Sequence, residues 1–365
     1  METLNLHIGD KGSWRVLGEA FARGLARHRP LALIDPPPPN DWMGNDFSAF
    51  AAPLPPVDPR GLTLNLAEWR KSPALPGRKV VSFIAWETSR IPRPDRDLMR
   101  TLAEIWVPTH WQRDLFIRNG VPAERLRVQP LGYDPERFHP SAATTTTAPR
   151  SADQPFRFLF VGKWEKRKDV TKLIKAFARE FSPRENVELL LAAHHPFVAD
   201  HEARLAAELA RELANHGYAD RRIRLLPPRP ESELPSLYRD ADAFVLPTRA
   251  EGWGLPLLEA MACGLPCIVT RYSAVTEFAS DGTVFFLRRR PWLERVVDPS
   301  NFDPALDWGG WACPSVLHLR RLLRHVVDDP ASAAAKGRYA ALAARDRWTW
   351  DHAIAKALAH LDAAA

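Results

Sequence analysis

The sequence predicts two α/β domains in tandem, each a doubly wound parallel sheet, and three observations carry that reading. Its 365 residues make about two domains at roughly 150 residues each. Residues 141–155, SAATTTTAPRSADQP, are poor in bulky apolar side chains and rich in threonine and proline, the composition of an exposed connection between folded units. On both sides of it short β-rich runs alternate with helical periodicity, which implies right-handed crossovers and parallel strands. The expected layout is a first domain over 1–140, a connection over 141–155, a second domain over 156–335 and a closing helix over 336–365.

Element by element, the first half offers strands at LALID (31–35), VVSFIAW (80–86), EIWVP (104–108) and RLRVQPLG (125–132), with the helical stretch VLGEAFARGLARH (16–28) following an opening strand. The second half offers FRFLFV (156–161), VELLLA (187–192), IRLL (223–226), AFVLP (243–247), CIVT (267–270) and TVFFL (283–287). Between the first two of these, Val170, Leu173, Ile174, Phe177 and Phe181 recur at the spacing of one helix face. From Ala331 onward the chain is Ala-rich and helical, and Trp348 and Trp350 are large enough to dock it, with a return to the first domain expected.

Composition narrows the function. Apolar residues at 45% and charged residues at 26% are those of a globular protein. No apolar run reaches the ~18 residues of a membrane span, and the charged start METLNLHIGDKGSWRV does not resemble an export signal. A cytoplasmic protein is expected. Fifty basic against forty-four acidic residues, a net +6, suits a phosphate-bearing ligand or an anionic membrane face and argues little for nucleic acid. Cys263, Cys267 and Cys313 are too few for a disulfide framework and have no nearby histidine to complete a zinc site. Thirty-four prolines, including PPPP at 36–39, mark rigid connections.

The most informative segment is AFVLPTRAEGWGLPLLEAMACGLPCIVT, 243–270. A buried strand ends at Pro247, a glycine-flanked turn follows, and a helix starts near Leu255 and stops at Gly264. Ligands of doubly wound sheets bind outside the carboxyl ends of the strands, where helix amino termini favour anions. Glu251 and Glu259, with seven residues between them, would place one carboxylate on each side of the amides of Gly254 and Leu255. That pattern suits a diphosphate with hydroxyl-rich groups on either side, a sugar and a ribose. The plainer alternative has Glu251 capping the helix and Glu259 solvated or salt-bridged.

EGWGLPLLEAMACGLP resembles the E-x7-E signature of the retaining glycosyltransferases of family 4, which have the GT-B architecture of two Rossmann-like domains facing a cleft. The resemblance implies that Glu251 contacts sugar hydroxyls, that Glu259 binds the ribose, and that Gly252, Trp253, Gly254 and Leu255 line the sugar and phosphate side. VGKWEKRKDVTKLIKAF, 161–177, is similar to the family segment in which two basic residues hold the donor diphosphate, here Lys163 and Lys168. Lys163 stands where arginine is usual, without its bidentate fork, and Asp169 stands where glycine is usual, adding a negative charge near the phosphates. EIWVPTHWQRDLFIRNGVP (104–122) and VQPLGYDPERFHP (128–140) resemble the end of the acceptor domain, and TWDHAIAKALAHL (349–361) the closing helix that crosses back to it. Gly9 and Gly12 match the loop approaching the donor from the first domain. Trp86 and Glu87 occupy the place where many members carry a histidine, so no catalytic histidine carries over and Glu87 is a candidate acceptor contact.

What the resemblance implies is transfer of a hexose-type sugar from a UDP- or GDP-linked donor to a saccharide, lipid-linked or small-molecule hydroxyl, with retention and without metal or other cofactor, as in surface polysaccharide or glycoconjugate synthesis. The rivals are a non-catalytic sugar-nucleotide-binding protein and an NAD-dependent oxidoreductase on the same scaffold; the latter requires a G-x-G-x-x-G turn that neither half contains. His194 and His195 read best as an ordinary loop pair. Arg288, Arg289 and Arg290, like Arg15, Arg23, Arg27 and Arg29, read as solvated surface or as contacts to anionic lipid at the inner membrane face. Met261 and Cys263 read as core-facing helix residues.

Overall fold

A computed structural model describes residues 2–9, 12–35, 54–140, 154–194, 201–215 and 222–364. Most of the expected connection (141–153), the proline run at 36–39 and His195 lie outside the described residues. The chain divides into two compact units: Met1–Tyr133 with Pro299–Gly310 and Trp348–Ala365, and Asp134–Asp298 with Trp311–Arg347.

The first unit holds six parallel strands, β1 (Leu4–Ile8), β2 (Leu31–Ile34), β3 (Leu62–Leu66), β4 (Lys79–Phe83), β5 (Glu104–Val107) and β6 (Leu126–Val128), in the order β2-β1-β3-β4-β5-β6. Its helices are α1 (Gly12–Ala26), α2 (Arg93–Met99) and α3 (His110–Arg118). Strand β3, LTLNL, is central yet escapes an apolar-run reading because Thr63 and Asn65 interrupt it. Both are fully buried and are tolerated there because they are hydrogen-bonded: Asn65 Oδ1 pairs with His7 Nδ1 at 2.9 Å and its amide donates to Ser72 Oγ at 2.8 Å, while Thr63 donates to Pro76 O.

The core of this unit gathers Ile84, Met99, Ile105, Val107, Leu115 and Phe116. Trp86 meets Phe116 edge-on at 6.2 Å and stacks on Trp308 at 5.6 Å. That stacking is why residues 299–310, expected in the second domain, fold with the first; Ser89 N–H also donates to Gly310 O at 3.0 Å, and Arg90 pairs with Asp307.

The second unit repeats the architecture with β7 (Phe156–Lys163), β8 (Val187–His194), β9 (Ile223–Leu225), β10 (Ala243–Leu246), β11 (Cys267–Thr270) and β12 (Phe285–Leu287), in the order β12-β11-β10-β7-β8-β9 and all parallel. The helices that follow the first unit's in sequence are α4 (Val170–Glu180), α5 (His201–Asn215), α6 (Leu234–Arg239), α7 (Leu255–Ala262), α8 (Val316–Asp328), α9 (Pro330–Arg347) and α10 (Trp350–Ala364). On α4, Val170, Leu173, Ile174 and Phe177 are buried, the face expected from their spacing. The strand order reverses between β7 and β10 here, and between β1 and β3 in the first unit. At such a switch point two loops diverge and leave a crevice at the carboxyl edge of the sheet.

The closing segment expected as one helix over 336–365 is two helices belonging to different units. Helix α10 packs in the first: Ile354 occupies the space left by Gly24, Trp350 meets Phe21 edge-on at 6.3 Å, and Gln129 Nε2 donates to Ala353 O at 2.9 Å. Helix α9 packs in the second through Gly337, where a Cβ would run into Gly264 O and come within 2.9 Å of Leu265 C. Because those neighbours are backbone, Gly337→Ala must push the helix off. The expected cost is roughly 1–3 kcal/mol and a thermal midpoint about 3 to 8 °C lower; an unchanged midpoint by calorimetry would show that α9 yields freely.

Candidate functional site

At the switch point of the second unit the chain leaves β7 at Lys163, makes one 3-10 turn over Lys166–Lys168 and enters α4 through Asp169. The neighbouring strand β10 runs out through residues 247–250 to Glu251 and the Gly-Trp-Gly turn before α7. Two backbone-centred contacts bind these exits together: Arg249 N–H donates to Arg167 O at 2.7 Å and the Thr248 hydroxyl to the same oxygen at 3.2 Å.

On this frame sits a buried ion pair. Lys168 Nζ donates to both carboxylate oxygens of Glu251, each at 2.8 Å, and the two residues are 6% and 3% exposed. Arg167 adds an Nη1 contact to Glu251 at 3.3 Å, donates to Ala250 O at 2.8 Å, and reaches Glu165 with its other nitrogen at 2.5 Å. Burial pushes the Glu251 carboxyl up, but the charges of Lys168 and Arg167 outweigh it and hold the group below its ordinary value. Glu165 follows the same pattern, burial opposed by Arg167, Lys163 and Lys168, with a net lowering. The cluster therefore sets three cations, Lys163, Arg167 and Lys168, against two carboxylates, leaving one positive charge in excess at the sheet edge.

Asp169 does not add the free negative charge expected of it. Its carboxylate is held by Arg249 at 3.0 Å and Lys172 at 2.9 Å, and Arg249 in turn reaches Glu294 at 2.5 Å. Its backbone is left-handed, φ 56°, a conformation natural to glycine and tolerated by Asp. Glu251 is set from below by Ser273, also left-handed (φ 61°) and buried, whose Oγ accepts the Glu251 N–H at 2.8 Å.

Of the turn residues, Gly252 is buried, Trp253 is 4% exposed with its ring 5.0 Å from Phe278, and Leu255 is buried. Gly254 caps α7 at φ +104°, and a Cβ there would lie 3.1 Å from Val275. The helix has no side-chain cap, so Glu251 is not its capping residue. Glu259 is neither solvated nor salt-bridged: it is 9% exposed and accepts the Tyr238 hydroxyl at 2.9 Å. The two carboxylates thus do not stand open around bare amides, as the spacing implied; each is sunk in the protein and already bonded. Lys163 is half-buried, opposite His194 in the β7–β8 register.

Gly9 and Gly12 lie after β1 in the first unit, at that sheet's own switch point; a Cβ on Gly9 would strike Trp14, and Gly12 has φ 56°. In the same unit Trp86 is core and Glu87 half-buried. Arg15 is fully buried, against the expectation of a solvated surface, and Arg29 is half-buried beside Asp362; Arg23 and Arg27 are exposed as expected, next to Glu19 and Asp351. Met261 and Cys263 are fully buried. Sequence reasoning missed Arg167, Arg249, Ser273 and Tyr238. Arg167 and Arg249 lay inside the quoted segments without being singled out, whereas nothing in the spacing marked Ser273 or Tyr238.

Comparison with known proteins places this geometry in a family context. Residues 155–298 match the family model "Glycosyl transferases group 1". The match covers the ion-paired exits of β7 and β10. The chain is 28% identical over 66% of its length to a D-inositol 3-phosphate glycosyltransferase of Pseudarthrobacter chlorophenolicus, covering 51% of that protein. It is 34% identical over half its length to the Corynebacterium jeikeium protein of the same name, covering 42% of it. An O-antigen chain mannosyltransferase B of Escherichia coli is 30% identical over 40% of this chain and 33% of its own. The chain spans about half or less of the length of the curated relatives it matches. Among solved structures, sucrose-phosphate synthase from Thermosynechococcus elongatus (18% identity, TM-score 0.69) and Anabaena HepE in complex with UDP-glucose (15%, TM-score 0.72) are similar over 100% of both chains. At such identity the likeness is one of fold, and the two six-stranded parallel sheets are the GT-B fold expected from the sequence. Among the described residues no helix is long and apolar enough to cross a membrane.

Glu259 carries the pH signature of the site. Burial, only partly offset by the Tyr238 hydrogen bond, raises its carboxyl to about 7. A raised carboxyl favours the folded state fully below its unfolded value, and that contribution is lost as pH rises through about 7. Glu259→Gln keeps the shape without the titration. Its thermal midpoint should therefore fall less than the parent's between about pH 5 and about pH 8; parallel curves for the two proteins would remove Glu259 as the source.

Proposed function

We propose that this protein is a retaining glycosyltransferase of family 4 that moves a hexose-type sugar from a UDP- or GDP-linked donor to an acceptor hydroxyl. The observation that carries the reading is the Lys168–Glu251 pair at the switch-point edge, in the segment that matches the glycosyltransferase model. The names of the relatives, an inositol-phosphate glycosyltransferase and an O-antigen mannosyltransferase, and the UDP-glucose held by HepE support it.

In this reading the donor diphosphate lies against Lys163 and Lys168, on the positive side of the charge balance and near the amino end of α7. Glu251 orients the sugar hydroxyls and Glu259 the ribose, with Gly252, Trp253, Gly254 and Leu255 lending backbone to the sugar and phosphate side. Gly9 and Gly12 approach from the first unit. The bond from the anomeric carbon to phosphate oxygen breaks and its electron pair leaves with the diphosphate. The acceptor oxygen bonds to the same face of that carbon, and its proton passes to the departing phosphate. Charge grows on the leaving group through an oxocarbenium-like state, so fixed cations beside it lower the barrier most. Lysines do here what a metal ion does elsewhere, and no metal or other cofactor enters the scheme. A cytoplasmic enzyme acting on surface saccharides or glycoconjugates, in peripheral contact with an anionic membrane face, fits the excess positive charge.

A panel of nucleotide sugars scored by released nucleotide, with saccharide and lipid-linked acceptors, tests the reading. Lys168→Ala, confirmed folded by circular dichroism, should lose about 100- to 1000-fold in turnover, and transfer at the parent rate by that variant would take Lys168 out of the mechanism. Glu259→Ala should chiefly weaken donor binding; an unaltered calorimetric affinity would count against its ribose role.

A further inference from the structure

We propose that the cavity lined by Arg288, Arg289, Arg290 and Arg321 is a second anion site of the second unit, built for a phosphate group. It has a volume of about 280 Å³ and is completed by Ser315, Leu317 and His318. The three consecutive arginines follow β12, the outermost strand of the sheet, and Arg321 comes from α8. None of these residues belongs to the ion-paired cluster at β7 and β10, and the inference does not depend on sugar transfer.

Charge is the first argument. Among the described residues no carboxylate lies within ion-pairing distance of Arg288, Arg289 or Arg321, and Arg290 reaches only Glu294 at 4.0 Å, a carboxylate already taken by Arg249 at 2.5 Å. Four arginines thus line one open cavity with little acidic compensation, Arg289 being steadied by the Arg290 and Pro291 carbonyls and the Tyr272 ring, and their summed charge favours an anion there. The second argument is the local backbone. Ser315 caps α8, its hydroxyl accepting the His318 N–H at 3.3 Å, so the positive end of a 13-residue helix borders the same space. The third is the tautomer of His318. Its Nδ1 accepts the Arg288 N–H at 3.0 Å, which leaves the other ring nitrogen carrying its proton as a donor; burial, with Arg288 and Arg321, holds its pKa below the usual value.

The volume leaves room for a phosphate together with part of the group it esterifies, and the chemistry fits either a phospholipid headgroup or a free phosphate ester. Leu317 in the wall is 56% exposed, and Trp292, 57% exposed, carries the Arg290 guanidinium 5.6 Å from its ring. A basic pocket rimmed by bare apolar side chains is the composition that seats at a lipid interface.

The full-length chain is titrated calorimetrically with inorganic phosphate and with glycerol 3-phosphate. In parallel it is cosedimented with vesicles of phosphatidylcholine, alone or mixed with phosphatidylglycerol. We expect saturable binding of at least one anionic probe, weakened about tenfold or more in Arg288→Gln/Arg321→Gln and retained in Lys168→Ala. Capture on the phosphatidylglycerol vesicles that falls with Trp292→Ser assigns a lipid headgroup; heat with free phosphate but no vesicle capture assigns a soluble ester. The proposal is overturned if no anionic probe binds or if the double arginine variant, folded by circular dichroism, binds like the parent. A phosphate signal lost in Lys168→Ala but kept in the arginine variant overturns it equally, by assigning the anion to the first site.

Discussion

A buried carboxylate must be paid for, and Glu251 is buried beside two cations that themselves come from another strand exit. Isolated, such a charge would neutralise or unfold its surroundings. Instead Lys168 takes both of its oxygens and Arg167 a share of one. The pairing ties the turn after β7 to the turn after β10. Removing either partner leaves the other as a buried charge without compensation, the situation in which breaking a pair is most destabilising. The rest of the site follows from this constraint. Arg249 ties Asp169 and so pins the start of α4, while Ser273 sets the height of the Glu251 backbone from β11's exit.

The same constraint sets what the site can accept. Glu165 and Glu251 consume most of the local positive charge, and the remainder is a single unit. Such a site is not an indiscriminate cation patch. Its lysine and arginine side chains are held by carboxylates, and in the transfer proposed above that leaves little reorganisation for the moment when charge develops. A loose lysine on a surface would have to be ordered at that moment, at a cost in side-chain entropy of up to ~2 kcal/mol.

Much of this was legible in the sequence, for reasons that differ by element. The strands of the second unit were found because they are short, apolar on both faces and bounded by turn residues, as buried parallel strands must be. Strand β3 was not, since its Thr63 and Asn65 are buried through hydrogen bonds that only the folded neighbours supply. Glu251, Lys168 and the glycine turn were found because their spacing is local to one strand-turn-helix unit. Arg249 and Tyr238 were not, because their roles arise across the sheet, from partners 80 and 21 residues away. The fate of residues 299–310 was likewise hidden: they join the first unit through the stacking of Trp308 on Trp86 and through bonds to Ser89 and Arg90, for which linear order offers no cue.

Arginine clusters make the limit of linear reading plain. Two of them, one near the start of the chain and one at 288–290, had the same composition and drew the same expectation of solvated surface or lipid contact. In the first unit Arg15 is wholly buried, and Arg29, half-buried, finds Asp362 on α10, more than 300 residues on, while Arg27 meets Asp351 at the solvated surface. At 288–290, among the described residues, the one carboxylate within reach is Glu294, 4.0 Å from Arg290, and what packs alongside is the amino end of α8 with one more arginine. A run of like charges thus has no meaning of its own. Whether it staples the fold or waits for an anion depends on whether the tertiary structure brings it a carboxylate or another positive end, and here the two outcomes stand side by side in one chain.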